Sequence, residues 1–289
     1  MALQLVHITD KGATRPSNQD SFCARISNFG SETIAMLVVC DGVGGLQSGE
    51  LASTGAVRCF EEWFEQQLPE IVRSGLTADA VFFSWHKMLE TLHAGLCSYS
   101  EKTGVQLGTT VSALLLTADT LYQVQIGDSR IYLDDGTGLA QLSKDQTLAM
   151  REVEAGRLAP EALPTDRRSS ILLQCLGYGR MEPVFQCTKR PPQGAVLLCS
   201  DGLCHHTTRK RLHTLLMEAE SREQLQQRLQ TAVEFCRSCG ETDNITALAL
   251  KWNDLSSLPS GTDDWIEVWA RLSGEAAPIE YDQKLGGIL

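Results

Sequence analysis

Nowhere in the 289 residues does an uninterrupted apolar segment approach membrane-spanning length, so no membrane partner is expected. The first residues, Met-Ala-Leu-Gln-Leu-Val-His, lack the basic stretch and apolar core of a secretory signal. Positive charge is scarce: 25 Lys and Arg face 36 Asp and Glu, a net charge of −11. A phosphate backbone selects basic faces, so nucleic acid is not an expected partner. Internal repeats and low-complexity stretches are absent as well. The ten cysteines do not read as a disulfide framework. Cys23, Cys40, Cys187 and Cys199 fall inside apolar, strand-like runs, where a free thiol behaves as a small hydrophobe. A reduced, cytoplasmic, monomeric protein is the expectation.

Several chemistries lack their signatures. No cysteine is followed by five residues and an arginine, so a cysteinyl-phosphate nucleophile loop is missing. Gly42-Val43-Gly44 fails as a dinucleotide fingerprint because Gln47 stands at the third glycine position, and no Gly-x4-Gly-Lys-Ser/Thr loop occurs. Cys236 and Cys239 have no second pair to complete a zinc site.

What is present is a repeated grammar of apolar runs that end in aspartate. Val38-Val39-Cys40-Asp41-Gly42-Val43-Gly44-Gly45 is the fullest case, Leu197-Leu198-Cys199-Ser200-Asp201-Gly202 repeats it, and Val124-Gln125-Ile126-Gly127-Asp128 is shorter. A single Asp-Gly after a strand reads as a turn. If Asp20, Asp41, Asp128, Asp201 and Asp243 converge, divalent cations must sit among them, because two carboxylates about 4 Å apart repel by about 4 kcal/mol at an effective dielectric near 20. Oxygen ligands without neighbouring His or Cys favour magnesium or manganese.

Periodicity sets the elements around these acids. Strands are expected at Leu3–Thr9, Ser21–Ile26, Thr33–Cys40, Thr109–Leu116, Leu121–Ile126, Arg130–Leu133, Pro183–Cys187, Ala195–Ser200 and Ile245–Lys251. The three from Thr109 to Leu133 read as successive antiparallel neighbours. Helices are expected at Ser48–Gln67, ended by Pro69, at Arg209–Glu218 and at Ser221–Cys239. Another begins at an N-cap Thr77 and buries Val81, Trp85, Met88, Leu92 and Leu96. Two face-to-face sheets, each covered by helices, would use every element. The pattern weakens from Gln146, which reads as an inserted flap. After a linker-like stretch at 256–261 comes an acidic tail with Trp265, Ile266, Val268, Trp269 and Leu272. It reads as either an amphipathic docking helix or a solvated tail resting on the domain.

Taken together, the motifs resemble the metal-dependent protein phosphatases of type 2C, bacterial stand-alone type. Six carry the resemblance, in order: Gly12-Ala13-Thr14-Arg15-Pro16-Ser17-Asn18-Gln19-Asp20, Val39 to Gly45, Gly108-Thr109-Thr110, Ile126-Gly127-Asp128-Ser129-Arg130, Leu198 to Leu203, and Thr242-Asp243-Asn244-Ile245-Thr246. The resemblance implies an α+β fold, a four-layer αββα sandwich of two mainly antiparallel sheets with a small flap. It places the phosphatase domain at 1–253, the flap at about 146–182, and the linker and acidic tail at 254–289. It implies Mn2+ or Mg2+, two ions at the core and a third, weaker one. Asp41 would bridge the pair, with the Gly42 carbonyl on one ion and Asp201 and Asp243 on the other, while Asp128 would help hold the third. Arg15 would clamp the substrate phosphate, and Asp20 would act through the activated water. Asn18 and Asn244 are expected to orient the acids. The implied reaction is hydrolysis of phosphoserine and phosphothreonine in proteins, opposing a serine/threonine kinase. The alternatives are a catalytically silent phosphoprotein-binding module and an enzyme for small phosphate esters.

Three positions depart from the family's pattern. Val43 stands where eukaryotic relatives commonly have histidine, so no side chain there can protonate the leaving alcohol, and water is the favoured donor. Asp145-Gln146-Thr147 replaces the usual Asp-His-Ser. Cys204-His205-His206 stands where relatives usually carry an acid, and the two histidines are either cleft-edge or plain surface residues.

Overall fold

The structure, a computed structural model, describes residues 3–30, 32–43 and 48–253 and the backbone of 265–271. Two antiparallel sheets lie between two helical layers. The first has the order β1 (Leu3–Asp10), β10 (Ile245–Trp252), β9 (Gly194–Cys199), β6 (Arg130–Asp134), β7 (Leu139–Gln141). The second has the order β11 (Trp265–Arg271), β2 (Ser21–Phe29), β3 (Glu32–Cys40), β4 (Val111–Leu116), β5 (Thr120–Ile126), β8 (Val184–Lys189). The expected αββα sandwich is therefore the observed architecture.

Side-chain alternation along each strand produces the layers. In β3, Ala35, Leu37 and Val39 enter the core between the sheets with Phe22, Leu198 and Leu248. Ile34, Met36, Val38 and Cys40 point the other way, against α1 (Gly49–Gln66) and α3 (Ala78–Thr103) through Phe60, Trp63, Trp85 and Leu92. A third core packs Leu197, Cys199 and Ala247 under α6 (Arg209–Met217) and α7 (Arg222–Ser238) through Leu212, Leu216, Leu225 and Leu229. Both faces of β3 and β9 are covered, which explains their nearly continuous apolar sequences. Helix starts follow their caps: Thr77 Oγ1 accepts from the Ala80 N–H and Ser221 Oγ from the Gln224 N–H.

Several expectations need correction. β4 and β5 pair as expected, but β6 leaves for the other sheet and pairs with β9. The Gly127-Asp128 step is thus a crossover between sheets and not a hairpin, a distinction that turn residues cannot express because both use them. Pro69 does not simply end a helix; it lies in the first turn of α2 (Leu68–Arg73), where a missing N–H costs nothing. β7 and the one-turn α5 (Asp201–Cys204) were too short to show periodicity. Cys187 is exposed rather than buried, although all ten cysteines are free thiols. Of the tail, 254–264 and 272–289 lie outside the described residues, and 265–271 forms neither a helix nor a loose segment. Its backbone is the edge strand β11, antiparallel to β2 with Arg271 opposite Phe22. Trp-Ile-Glu-Val-Trp is rich in β-formers, and the open edge of β2 supplies the unpaired backbone groups. Gly44 and Gly45 lie outside the described residues.

The flap between β7 and β8 contains α4 (Leu148–Glu154) and two 3-10 turns, Pro160–Thr165 and Arg167–Ser170. Gly127, at φ 95°, makes the crossover possible: a Cβ there would sit 2.6 Å from Thr110 Cγ2. Gly127→Ala is therefore expected to lower stability by about 1–3 kcal/mol in urea unfolding. A midpoint equal to the parent's would show that this backbone relaxes without strain.

Candidate metal centre

Strand registers bring the five aspartates together at one end of the sandwich. Ser21 pairs with Cys40, so Asp20 and Asp41 leave adjacent strands side by side. Ala247 pairs with Cys199, placing Asp243 and Asp201 at the same end of the other sheet. Asp128 arrives by the crossover. The acids sense one another: burial above all, then the charges of Asp20, Asp201, Asp243 and Asp128, raise Asp41 well above the usual carboxylate range. Burial likewise raises Asp128, with Asp201 and Asp145 adding to it and Arg130 opposing. Asp20 is lifted to about 7 by burial, despite hydrogen bonds from Thr246 and Ser200 that pull it down.

Two buried hydroxyl chains hold this cluster. On one side, the Asp41 N–H donates to Thr110 Oγ1 at 2.9 Å, and Thr110 Oγ1 lies 2.6 Å from Ser129 Oγ, next to Asp128. Thr109 Oγ1 and the Thr110 N–H both donate to the Asp41 carbonyl. This accounts for the Gly-Thr-Thr motif. On the other side, Ser200 Oγ donates to Asp20 Oδ2 at 2.9 Å, and the Thr246 N–H donates to Ser200 Oγ.

The Asn18 and Asn244 side chains bond main chain and the Thr9 hydroxyl, while the Asn244 N–H donates to Asp243 Oδ1 at 2.8 Å. Asn18 Oδ1 accepts from the Asp20 N–H, while Asn244 Oδ1 accepts from the Gln19 N–H and its amide donates to the Lys11 and Ser17 carbonyls. Gly42 is wedged between the Gln19 carbonyl and Gly49; a Cβ there would lie within 2.7 Å of both. Arg15 Nη2 donates to Asp243 Oδ2 at 2.6 Å, so the guanidinium faces the cluster.

The donor set suits a hard divalent cation. Asp20 Oδ1 and Asp201 Oδ1 are buried and have no hydrogen-bond partner. Such orphaned carboxylate oxygens are costly unless a cation meets them. Among the described residues, no three His, Cys, Asp or Glu groups close on a single point, and Asp243 is engaged by Arg15.

Two contributors escaped the sequence reading. Gln146, in place of a histidine, accepts from the Gly127 N–H at 2.6 Å and its own N–H donates to the Gly127 carbonyl, pinning the crossover that carries Asp128. Glu241 Oε1 accepts from the N–H groups of Thr242 and Asp243, while its Oε2 takes His205 Nδ1–H at 2.8 Å. His205 Nε2 in turn lies 3.5 Å from Asp201 Oδ2. His205 and Glu241 thus join the helix bearing Asp201 to the loop bearing Asp243. The Glu241 hydrogen bond raises His205 to about 9. Burial pushes Glu241 up, but His205 and the Asp243 N–H outweigh it and bring Glu241 to about 2. His205 and His206 line a cleft of about 320 Å³ with Asp128, Arg130 and Asp201, so they are cleft-edge residues. The sequence signals were the mismatches at Asp145-Gln146-Thr147 and Cys204-His205-His206, which did not reveal these roles; Glu241 carried none.

Two outcomes follow. Glu241→Ala is expected to weaken manganese binding by about tenfold or more in calorimetry, because partners of ligand residues commonly carry that much. Glu241→Gln, which keeps an acceptor for the two N–H groups, should lose less. In chelator, Asp20 is raised in the folded state to about 7, so its contribution favours folding at low pH and is lost as pH rises through that value. The metal-free protein should therefore melt higher at pH 5.5 than at pH 8 in a fluorescence-monitored scan, and manganese should reduce the difference. A metal-free midpoint that instead rises with pH would contradict the convergence of these acids.

Residues 13–234 match the family model described as Protein phosphatase 2C. The chain is 28% identical over 248 residues to the serine/threonine phosphatase stp of Listeria welshimeri, covering 85% of this chain and 94% of that protein. It is 26% identical to the serine/threonine protein phosphatase PstP of Mycobacterium tuberculosis over 99% of this chain, and spans about half, 54%, of that longer protein. Among solved structures it is similar to the catalytic domain of PstP in complex with two manganese ions, at TM-score 0.68 and 25% identity over 88% of this chain and 99% of that one. It shares its fold with Stp1 of Staphylococcus aureus at TM-score 0.74, with 23% identity over 88% and 96% of the two chains. With a match to this model over residues 13–234, most of its length, the chain belongs to the protein phosphatase 2C family.

Proposed function

We propose that the chain hydrolyses phosphoserine and phosphothreonine in proteins with metal-activated water, and that it opposes a serine/threonine kinase. The chain is a phosphatase of the serine/threonine type, like its named relatives. The observation that carries the metal-dependent reading is the gathering of five buried or part-buried aspartates, two of them with orphaned oxygens, at the mouth of the sandwich. When bound, two divalent cations would lower the pKa of the attacking water and offset charge on the phosphoryl group. Asp41, Gly42, Asp201 and Asp243 would hold those ions, and Asp128 would help hold a third, weaker one.

This chain's own groups supply the rest. Arg15 reaches the cluster from the loop before Asp20, and its planar fork matches two phosphate oxygens as a lysine cannot. Its bond to Asp243 keeps it aimed at the site. Ser200 fixes Asp20 Oδ2 and leaves the buried Oδ1 without a partner, so Asp20 would act through the activated water. Val43 brings no donor, and the leaving alcohol would draw its proton from water. A silent binding module has no use for this many mutually repelling acids, which argues for the enzyme.

Asp201→Ala is expected to abolish manganese-dependent release of phosphate from a phosphothreonine peptide while the circular dichroism spectrum stays that of the parent. Full activity in this variant, or activity indifferent to chelator, would refute the proposal. Comparison of a kinase-phosphorylated protein with p-nitrophenyl phosphate would separate a protein phosphatase from an enzyme for small esters.

A further inference from the structure

Ten free cysteines are distributed through the fold, and two of them meet beside the metal centre. Cys199 is the last residue of β9 and Cys204 the last of α5, and their Sγ atoms lie 3.4 Å apart. Between them run Ser200, which bonds Asp20, and Asp201. Cys199 is fully buried. Cys204 lines the cleft with Asp128, Arg130 and Asp201, which opens a route for a small solute. Its Sγ lies 3.6 Å from Tyr132 Oη, which accepts from Arg130 Nη1–H.

The surroundings treat this thiol differently from others. Burial pushes Cys23, Cys40, Cys59, Cys175 and Cys236 up. Cys204 is brought down to about 7, first by the hydrogen bond from Cys199, then, against burial, by the Arg130 charge and the Tyr132 hydroxyl. A thiolate next to a second thiol, reachable from a cleft, is the arrangement of an attacking and a resolving cysteine.

We propose that Cys199 and Cys204 are a modification site for hydroperoxides, closing reversibly to a disulfide that spans Asp201. In the first step the Cys204 thiolate attacks the terminal peroxide oxygen. An S–O bond forms, the O–O bond breaks, and the departing alkoxide or hydroxide takes a proton. In the second, Cys199 sulfur attacks Cys204 sulfur. The S–S bond forms, the S–O bond breaks, and water leaves with the Cys199 proton. The two thiols together supply two electrons and the peroxide is reduced to an alcohol, or water, plus water. A dithiol reverses the change by exchange.

Bond formation needs the sulfurs to close from 3.4 Å to about 2.05 Å. The six-residue ring from Cys199 to Cys204 then draws α5 against the end of β9, moving the segment that carries Ser200 and Asp201. The expected consequence is weaker metal binding. That consequence rests on Asp201 as a metal ligand; formation of the disulfide does not.

The test uses the full reduced chain in chelator, treated with hydrogen peroxide near stoichiometry, alkylated and digested with trypsin. One peptide, Arg190 to Arg209, contains both cysteines and no other. The expected product is this peptide two mass units lighter and unalkylated, restored by dithiothreitol. The Cys199→Ser chain should instead give a dimedone adduct on Cys204, and Cys204→Ser should give neither. After removal of peroxide, the oxidised protein should bind manganese at least tenfold more weakly in calorimetry, with recovery on reduction. Full alkylation of both residues while Cys187 or Cys239 has been oxidised would overturn the site. A disulfide that leaves manganese affinity unchanged would overturn the coupling to Asp201. If reduced protein binds no manganese, the metal-centre reading fails, and the peptide assay still decides the cysteine pair.

Discussion

Carboxylates held together out of water set the terms for this structure. Asp41 is raised by burial and by four other aspartates, and Asp20 rises to about 7 for the same reasons. Repulsion of about 4 kcal/mol per close pair, at an effective dielectric near 20, is comparable to a large part of a domain's net stability. No local preference of strand or turn would assemble such a cluster. It persists because strand registers on both sheets fix the acids before they can move apart, and because three apolar cores make those registers hard to shift. A one-residue slip in β3 would turn Leu37 and Met36 to the wrong layers along with every neighbour.

The polar groups around the cluster mostly hold backbone. Thr109 and Thr110 secure the Asp41 peptide, Asn244 secures Gln19 and the loop before Asp20, and Glu241 secures the amides ahead of Asp243. This leaves carboxylate oxygens free to face cations, whereas hydrogen bonds made to those oxygens would compete with a metal. Ser200 to Asp20 Oδ2, Arg15 to Asp243 Oδ2 and the Asn244 N–H to Asp243 Oδ1 are exceptions, bonds that a cation would have to share or displace. The scaffold therefore spends its hydrogen bonds on position and keeps charge available for ligands.

How much was legible in the sequence varies with the range of the interaction that decides each feature. β3 and β9 were evident because their apolar runs report burial on both faces, and the aspartates that end them were evident for the same reason. The sheet to which β6 belongs was hidden, since Gly127-Asp128 serves a hairpin or a crossover equally well and the choice is made by Thr110 and Gln146, distant in sequence. β11 was hidden because its strand character depends on an open edge supplied by β2. The same logic applies within the site. Asp20, Asp41 and Asp201 stand beside recognisable strand signals, while Glu241 sits among polar neighbours and acquires its role only when His205 is folded against it.

His205 and Glu241 also show why a departure from the family's pattern need not weaken the centre. An acid shortly after Asp201 would add another negative charge to an already crowded cluster. A histidine raised to about 9 by Glu241 places positive charge there instead, and its charge lowers Asp201 against the burial that raises it. Glu241 is then negative and paired, its other oxygen anchoring the Asp243 loop. The substitution exchanges a repulsive contact for a strut of three linked groups, and it ties the two acids expected on the same ion to one rigid arrangement. Arg130 does the corresponding job on the opposite wall, where its bidentate bond to Asp145 holds a cation next to Asp128 and Asp201. Fixed positive charges on both walls let the acids stay close without collapsing onto one another, and the remaining negative charge points into the cleft, where a divalent ion can use it.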